Sequence, residues 1–172
     1  AANTTTASFT VTVTDNEDPT ISGLPTDIIQ PTDASACTAV VNWTVPTVND
    51  NCTGATITPD VAPGSTFTLG TTLVTYTATD GSSNVTTGAF LVTVIDNEDP
   101  AIAGTPADIT QTNDAGSCTA DITWTEPTAS DNCTVSSFTS DIASGATFGL
   151  GANTVTYTAT DNSGNTTTTN FT

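Results

Sequence analysis

The chain repeats itself at an interval of 81 residues. Asp15-Asn16-Glu17-Asp18-Pro19 returns as Asp96-Asn97-Glu98-Asp99-Pro100, and the same offset carries Cys37 to Cys118, Trp43 to Trp124, Cys52 to Cys133, Tyr76 to Tyr157 and Phe90 to Phe171. Aligned without a gap, residues 15–91 and 96–172 agree at 44 of 77 positions. A period of this length means two copies of one module, each leaning on its neighbours. Near the start, Asn3, Phe9, Val11 and Val13 align with Asn84, Phe90, Val92 and Val94, so residues 1–14 read as the last strand of a preceding repeat. The first module then spans 15–95 and the second 96–172, with its last strand truncated at Thr172, the counterpart of Leu91. A window out of phase with its own repeat is expected of a piece of a longer tandem array.

Within a module the apolar residues alternate. Thr72 to Asp80 puts Val74, Tyr76 and Ala78 on one face and threonines on the other, and Phe90, Val92 and Val94 mark the final strand in the same way. Val41, Trp43 and Val45 predict another strand, Thr56 to Thr58 a short one, and Ile28 with Ile29 an edge piece. Turn residues separate them at Gly23 to Pro25, Gln30 to Ala34, Pro46 to Asn51, Pro63-Gly64, Leu69-Gly70 and Asp80 to Asn84. About seven short strands per module and no helical period predict an all-β, two-sheet sandwich.

Composition narrows the function. There is no Lys, Arg or His against 18 acidic residues, a formal charge of -18. Such a chain cannot neutralise phosphates, which excludes nucleic acid and electrostatic docking to an anionic membrane. Schiff-base chemistry, histidine triads and histidine-ligated metals go too. Low hydrophobicity with net charge is also the mark of disorder, but only 10% of residues are charged and the apolar ones fall at regular places. No run of 18 apolar residues exists for membrane insertion and no signal peptide opens the chain; an export signal would lie elsewhere.

The order Asp18-Pro19, Val41 to Pro46, Asp50 to Cys52, Pro63 to Gly70 and Val74-x-Tyr76-x-Ala78-x-Asp80 to Asn84 resembles the hyalin repeat over nearly the whole chain. The second module departs at Ser144, which stands where the first has Pro63. The resemblance implies an extracellular immunoglobulin-like or fibronectin-III-like sandwich used in cell adhesion, often in long arrays. With cysteines at these places and no lysine, the chain looks most like the giant repetitive cell-surface adhesins of Bacteroidetes-type bacteria, some of which serve gliding motility.

Sixteen of the 18 acids recur in eight pairs, at 15/96, 17/98, 18/99, 27/108, 33/114, 50/131, 60/141 and 80/161; only Asp121 and Glu126 do not. Solubility alone would not fix their places. In a sandwich entered from the top, Asp96, Glu98 and Asp99 of the linker sit beside the loops carrying Asp131 and Asp161, and Asp33 of the repeat before faces the same junction. In the first module the set is Asp15, Glu17, Asp18, Asp50 and Asp80. Two carboxylates at 6 Å repel by about 0.7 kcal/mol in water and about 3 kcal/mol at an effective dielectric of 20. With no basic side chain to offset this, oxygen ligands at flexible spacing point to calcium rather than zinc or copper. The linker also looks like the calcium-binding linkers of cadherins. The competing reading is that each acid caps a turn by accepting backbone N–H bonds. A glycosidase carboxylate pair is a third idea, rejected for want of sugar-stacking aromatics; Trp43 and Trp124, in apolar surroundings, read as core.

Four cysteines on an oxidising surface predict disulfides. Cys37–Cys52, with Cys118–Cys133, would staple each module separately, but a strand between them would hold them up to about 20–25 Å apart, whereas a disulfide needs Cα atoms within about 7 Å. The distance argument favours Cys37–Cys133 across the repeats, leaving Cys52 and Cys118 for neighbouring repeats. The staple stays open if the strand bends or begins late. The Asn-x-Thr sequons, as at Asn42, and the exposed threonines say little in a chain with 44 Thr.

The leading expectation is a non-catalytic stalk or filament segment, its partners the neighbouring repeats of the same chain. The alternatives are a module whose loops bind a surface glycan or protein, and a filament subunit to which residues 1–14 of another subunit donate a strand.

Overall fold

The computed structural model describes all 172 residues, and every regular element in it is a β-strand. The first repeat carries β1 (Thr20–Ser22), β2 (Ile28–Pro31), β3 (Thr38–Val41), β4 (Thr47–Asn49), β5 (Thr56–Pro59), β6 (Ser65–Thr68), β7 (Gly70–Thr79) and β8 (Val85–Ile95). The second carries β9 (Ala101–Ala103), β10 (Thr119–Asp121), β11 (Thr128–Ser130), β12 (Val135–Ser140), β13 (Thr147–Gly149), β14 (Val155–Asp161) and β15 (Thr166–Phe171). In the first repeat β2, β8, β7 and β5 form one sheet in that order, while β3 pairs with β6 and β1 with β4. The second repeats the scheme as β12-β14-β15, β10 with β13 and β11 with β9. Both repeats are all-β and share one pairing scheme, the fold class expected.

The alternation that predicted the strands builds the core. Val74, Tyr76 and Ala78 of β7, and Phe90, Val92 and Val94 of β8, are buried while their neighbours in sequence are not. In the second repeat Val155, Tyr157 and Phe171 are buried, with Ile102, Ile109, Trp124, Phe138, Ile142 and Phe148 packed against them. Each tryptophan closes one side of this core. Trp43 meets Phe90 edge-on at 5.3 Å and Trp124 meets Phe171 at 5.2 Å, in the geometry that the ring quadrupoles favour.

By its contacts the chain divides into two compact units that do not coincide with the repeats. One comprises residues 1–28, 42–65 and 72–91; the other comprises 29–41, 66–71 and 92–172. The second unit thus contains all of the second repeat together with three segments of the first, 29–41, 66–71 and 92–95.

Two strand expectations are corrected. The strand through Val41, Trp43 and Val45 stops at Val41, and the stretch read as a turn up to Asn51 contains β4. The cause is a change of partner: β3 pairs with β6 and β4 with β1, and Pro46, which has no N–H to give a ladder, lies buried at the crossing. Residues 1–14 form no strand. Phe9, Val11 and Val13 are 89, 72 and 92% exposed, because a strand needs a neighbouring ladder and this segment has none.

Candidate functional site: the inter-repeat junction

The period-two register of the core strands does not stop at the last hydrophobe. Two residues past Ala78 comes Asp80, two past Ala159 comes Asp161, and two past Val94 comes Asp96; all three are buried, at 6, 2 and 8% exposure. The pleat therefore drives a carboxylate inward at the end of each strand, and the local sequence must satisfy it.

Asp161 is satisfied by its own turn. Its Oδ1 accepts the backbone N–H of Ser163 at 2.9 Å and of Asn165 at 2.8 Å, and its Oδ2 accepts Asn165 Nδ2 at 2.8 Å. Asp80 is held in the same way by Ser82 and Asn84. The turn demands a left-handed residue, which is Gly164 at φ 93° in one repeat and Ser83 at φ 75° in the other. Burial pushes the pKa of both aspartates up, but hydrogen bonds from the Asn side chain and the turn's N–H groups outweigh it and hold each below the usual carboxylate value. The recurring Asp-x-x-x-Asn is thereby explained as turn chemistry.

Most of the recurring acids have a backbone duty of this kind. Asp27 and Asp108 accept the N–H of Leu91 and Thr172, Asp60 and Asp141 those of Thr75 and Thr156, and Asp33 and Asp114 those of Val40 and Asp121. Asp50 and Asp131 accept those of Cys52 and Cys133, and Asp15 and Asp96 those of Glu17 and Glu98. Glu98 receives Ser35 N at 3.3 Å. Glu17, Asp18 and Asp99 lie exposed.

Three of these acids have oxygen left over. Asp15 Oδ2, Asp50 Oδ1 and Asp131 Oδ1 are buried and accept nothing, and so is Asn132 Oδ1. Asp15 and Asp50 group with Cys52, and Asp96 and Asp131 with Cys133, the ligand atoms of each group within 4.8 Å of one another. Cys133 is no thiolate donor, because its sulfur is in a disulfide. What the second repeat offers a cation is therefore all oxygen, from the Asp131 and Asp96 carboxylates. That donor set fits calcium. At such separations two charged carboxylates repel by about 3 kcal/mol or more at an effective dielectric of 20, and no basic side chain stands near.

Around this pocket the repeats are joined, wholly inside the second unit. Cys37 is bonded to Cys133, with S–S 2.03 Å and Cα–Cα 4.6 Å, while Cys52 and Cys118 are free and exposed; the separate staples Cys37–Cys52 and Cys118–Cys133 do not form. The late start of β3, at Thr38, leaves Cys37 in the preceding loop, where it reaches the next repeat. Asn132 Nδ2 points to Thr32 Oγ1 at 3.1 Å, the Ala36 carbonyl at 3.2 Å and Asp96 Oδ1 at 3.3 Å. Ser163 Oγ reaches Asp96 Oδ2 at 3.5 Å, and Asn165 Nδ2 reaches the Asp96 carbonyl at 3.3 Å.

Of the acids expected here, Asp96 and Asp131 come together and Asp161 joins them through Ser163 and Asn165; Asp33, Glu98 and Asp99 stay outside the oxygen cluster. Asn132 is the residue that counting acids overlooks. It is uncharged, and the signal that marks it in the sequence is its recurrence as Asn51 and Asn132 in Asp-Asn-Cys.

The HYR domain family matches residues 14–94 and again 95–172. Hyalin of Strongylocentrotus purpuratus is 38% identical over 165 residues, covering 92% of this chain and 14% of hyalin. The sushi, von Willebrand factor type A, EGF and pentraxin domain-containing protein 1 of Rattus norvegicus is 36% identical over 159 residues, covering 88% of this chain and 4% of that protein. The chain is thus a small fraction of the length of these relatives. Extracellular cadherin domains 1–4 of protocadherin gamma B7 align with 90% of this chain and 49% of theirs at 16% identity and a TM-score of 0.38, too loose a likeness to carry an argument. No helix is long and apolar enough to cross a membrane.

Proposed function

This chain belongs to the HYR domain family, and from that premise we propose that it is a non-catalytic segment of an extracellular, cell-surface adhesive stalk. Its junctions are stiffened by a disulfide and by calcium. The observation that carries this reading is the Cys37–Cys133 bond closing over a cluster of spare buried oxygens. A short linker between sandwiches buries too little surface to resist hinging, and a covalent bond beside it gives tension a second path. Asp96 and Asp131 would hold the cation in the second repeat and Asp15 with Asp50 in the first; bound calcium supplies the positive charge that the chain itself lacks. The partners along the stalk are neighbouring repeats.

Two measurements test this. Calcium bound only by the folded state should raise the melting temperature with concentration, by about 2.7 kcal/mol of stability at a hundred times its Kd; identical melting in chelator and in millimolar calcium removes the metal. Chains of two, four and six repeats should lengthen by roughly 35–45 Å per repeat in electron micrographs, eight or so residues of strand plus a linker. A particle whose length does not grow with repeat number removes the stalk.

A further inference from the structure

The disulfide hides two sulfurs beside the oxygen cluster. Asp96, Asp131 and Cys133 each bring one ligand atom, all three within 4.8 Å of one another. Cys37 brings a fourth, because its sulfur is bonded to that of Cys133. Each carboxylate is held by one oxygen and leaves the other. Asp131 Oδ2 accepts the Cys133 N–H at 2.9 Å, while Oδ1 is buried and accepts nothing. Asp96 Oδ1 accepts Glu98 N at 3.2 Å and Asn132 Nδ2 at 3.3 Å, while Oδ2 meets only Ser163 Oγ at 3.5 Å. Outer bonds of this kind are what orient the ligands of a metal.

While the disulfide stands, its sulfurs are of no use to a cation. Reduction changes the donor set. A phosphine gives two electrons to the S–S bond and leaves as its oxide with the oxygen of one water, whose two protons end on the sulfurs as thiols. Two sulfurs and two carboxylate oxygens then make a closed tetrahedral set, and thiolates select zinc over calcium. At about 2.3 Å per sulfur and about 2.1 Å per oxygen, the ligand atoms of such a site stand about 3.4–3.8 Å apart. Small side-chain rotations close separations of up to 4.8 Å to that distance, and Cα atoms 4.6 Å apart keep both thiols within reach of one ion.

We infer that, once reduced, Cys37 and Cys133 join Asp96 and Asp131 as a four-ligand zinc site, so that a metal can close the junction when the disulfide does not. Binding displaces both thiol protons to solvent. Cys37 lies just before β3 of the first repeat, and the other three ligands belong to the second. The ion therefore spans the same two repeats as the bond it replaces. Oxidation state selects the metal: the oxidised cluster offers oxygen alone and suits a hard cation, whereas the reduced one offers two thiolates and suits a soft one.

The inference uses the carboxylates of the stalk reading but not its calcium, so it is tested in calcium-free buffer. Cys52→Ser/Cys118→Ser, which removes the two exposed thiols, is reduced with the phosphine, freed of it under nitrogen and titrated with cobalt(II) as a coloured stand-in for zinc. One cobalt should bind, with sulfur-to-metal charge-transfer absorption and tetrahedral d–d bands, and zinc should displace it. The unreduced protein should show neither band. Asp131→Asn and Asp96→Asn in the same background should bind at least about tenfold more weakly, with unchanged far-ultraviolet circular dichroism; if Asp96→Asn does not fold, Asp131→Asn decides. A reduced protein without these bands overturns the inference. So does unchanged affinity in either folded variant, which would leave two thiols binding metal by themselves. Cobalt bands in the reduced protein beside calcium-indifferent melting of the oxidised one would keep the zinc site and remove calcium, and the reverse pair of results would keep calcium and remove the zinc site.

Discussion

Trp124 donates its indole N–H to the hydroxyl of Tyr157 at 2.7 Å, and 81 residues earlier Trp43 does the same to Tyr76 at 2.8 Å. Tyr76 and Tyr157 are buried in the sheet face and each tryptophan lies half-buried across from it, so the bond pins the loop after β3 or β10 to the opposite sheet. An indole nitrogen can only donate, and a tyrosine hydroxyl facing it is the acceptor the core provides.

Replacing Tyr157 with Phe keeps the ring and leaves the indole N–H without its acceptor, which should cost about 1–2 kcal/mol and lower the melting temperature by a few degrees. In a double-mutant cycle, Trp124→Phe with Tyr157→Phe should cost less than the two single changes added together. Strict additivity would show that the two side chains are neighbours without being partners.

The oxygen cluster makes a prediction of the opposite sign. Asp131→Asn keeps an oxygen for the Cys133 N–H but removes a charge facing Asp96. Without metal the variant should therefore be no less stable than the parent. With metal it should lose part of the calcium-induced rise in melting temperature, and Asp50→Asn/Asp131→Asn should lose most of it. A double variant that calcium stabilises as much as the parent would place the ion elsewhere.

How legible the site was follows from what makes a pattern in a sequence. The strands β7 and β14 could be read because alternation is a property of neighbours along the chain, and the same alternation carried to its end puts Asp80 and Asp161 inside. Repetition marked the acids as placed but did not say why. Turn caps and cation ligands use the same residues, and only the bonding of each oxygen, with Asp131 Oδ1 spare and both Asp161 oxygens used, separates them. The break between β3 and β4 was hidden because Val41, Trp43 and Val45 alternate well enough for a strand. What ends it is a change of partner, a non-local choice that the local pattern does not contain.

Acid should act through Asp80 and Asp161. Their folded pKa values lie below that of the unfolded chain, so the stability they contribute is fully present above the ordinary aspartate pKa, near 3.9, and is lost as the pH falls through the folded value. Asn165→Ala removes the side-chain bond to Asp161 Oδ2, which raises the folded pKa and should move the onset of acid unfolding to higher pH. Protonating the other acids relieves repulsion and pulls the other way, so the quantity to compare is the difference in melting temperature between parent and variant from pH 6 to pH 2. That difference should shrink on acidification, because the bond lost in the variant is one that protonation takes from the parent as well. A difference constant over the whole range would mean that Asp161 carries none of the pH dependence.

The Cys52 thiol should be a poor nucleophile despite its exposure. A hydrogen bond to Asp15, then burial, then the charges of Asp15, Asp50 and Asp80 all push its pKa up, and only the thiolate reacts. Alkylation by iodoacetamide at pH 8 should therefore be slower in the folded protein than at the same cysteine in the unfolded chain. Asp15→Asn weakens both the first and the third of those causes and should speed the folded reaction. Calcium neutralising Asp15 and Asp50 should speed it too, giving a readout of metal occupancy that does not depend on melting. Faster alkylation in Asp15→Asn with no response to calcium would keep the electrostatic account of the thiol and remove the cation from the first repeat.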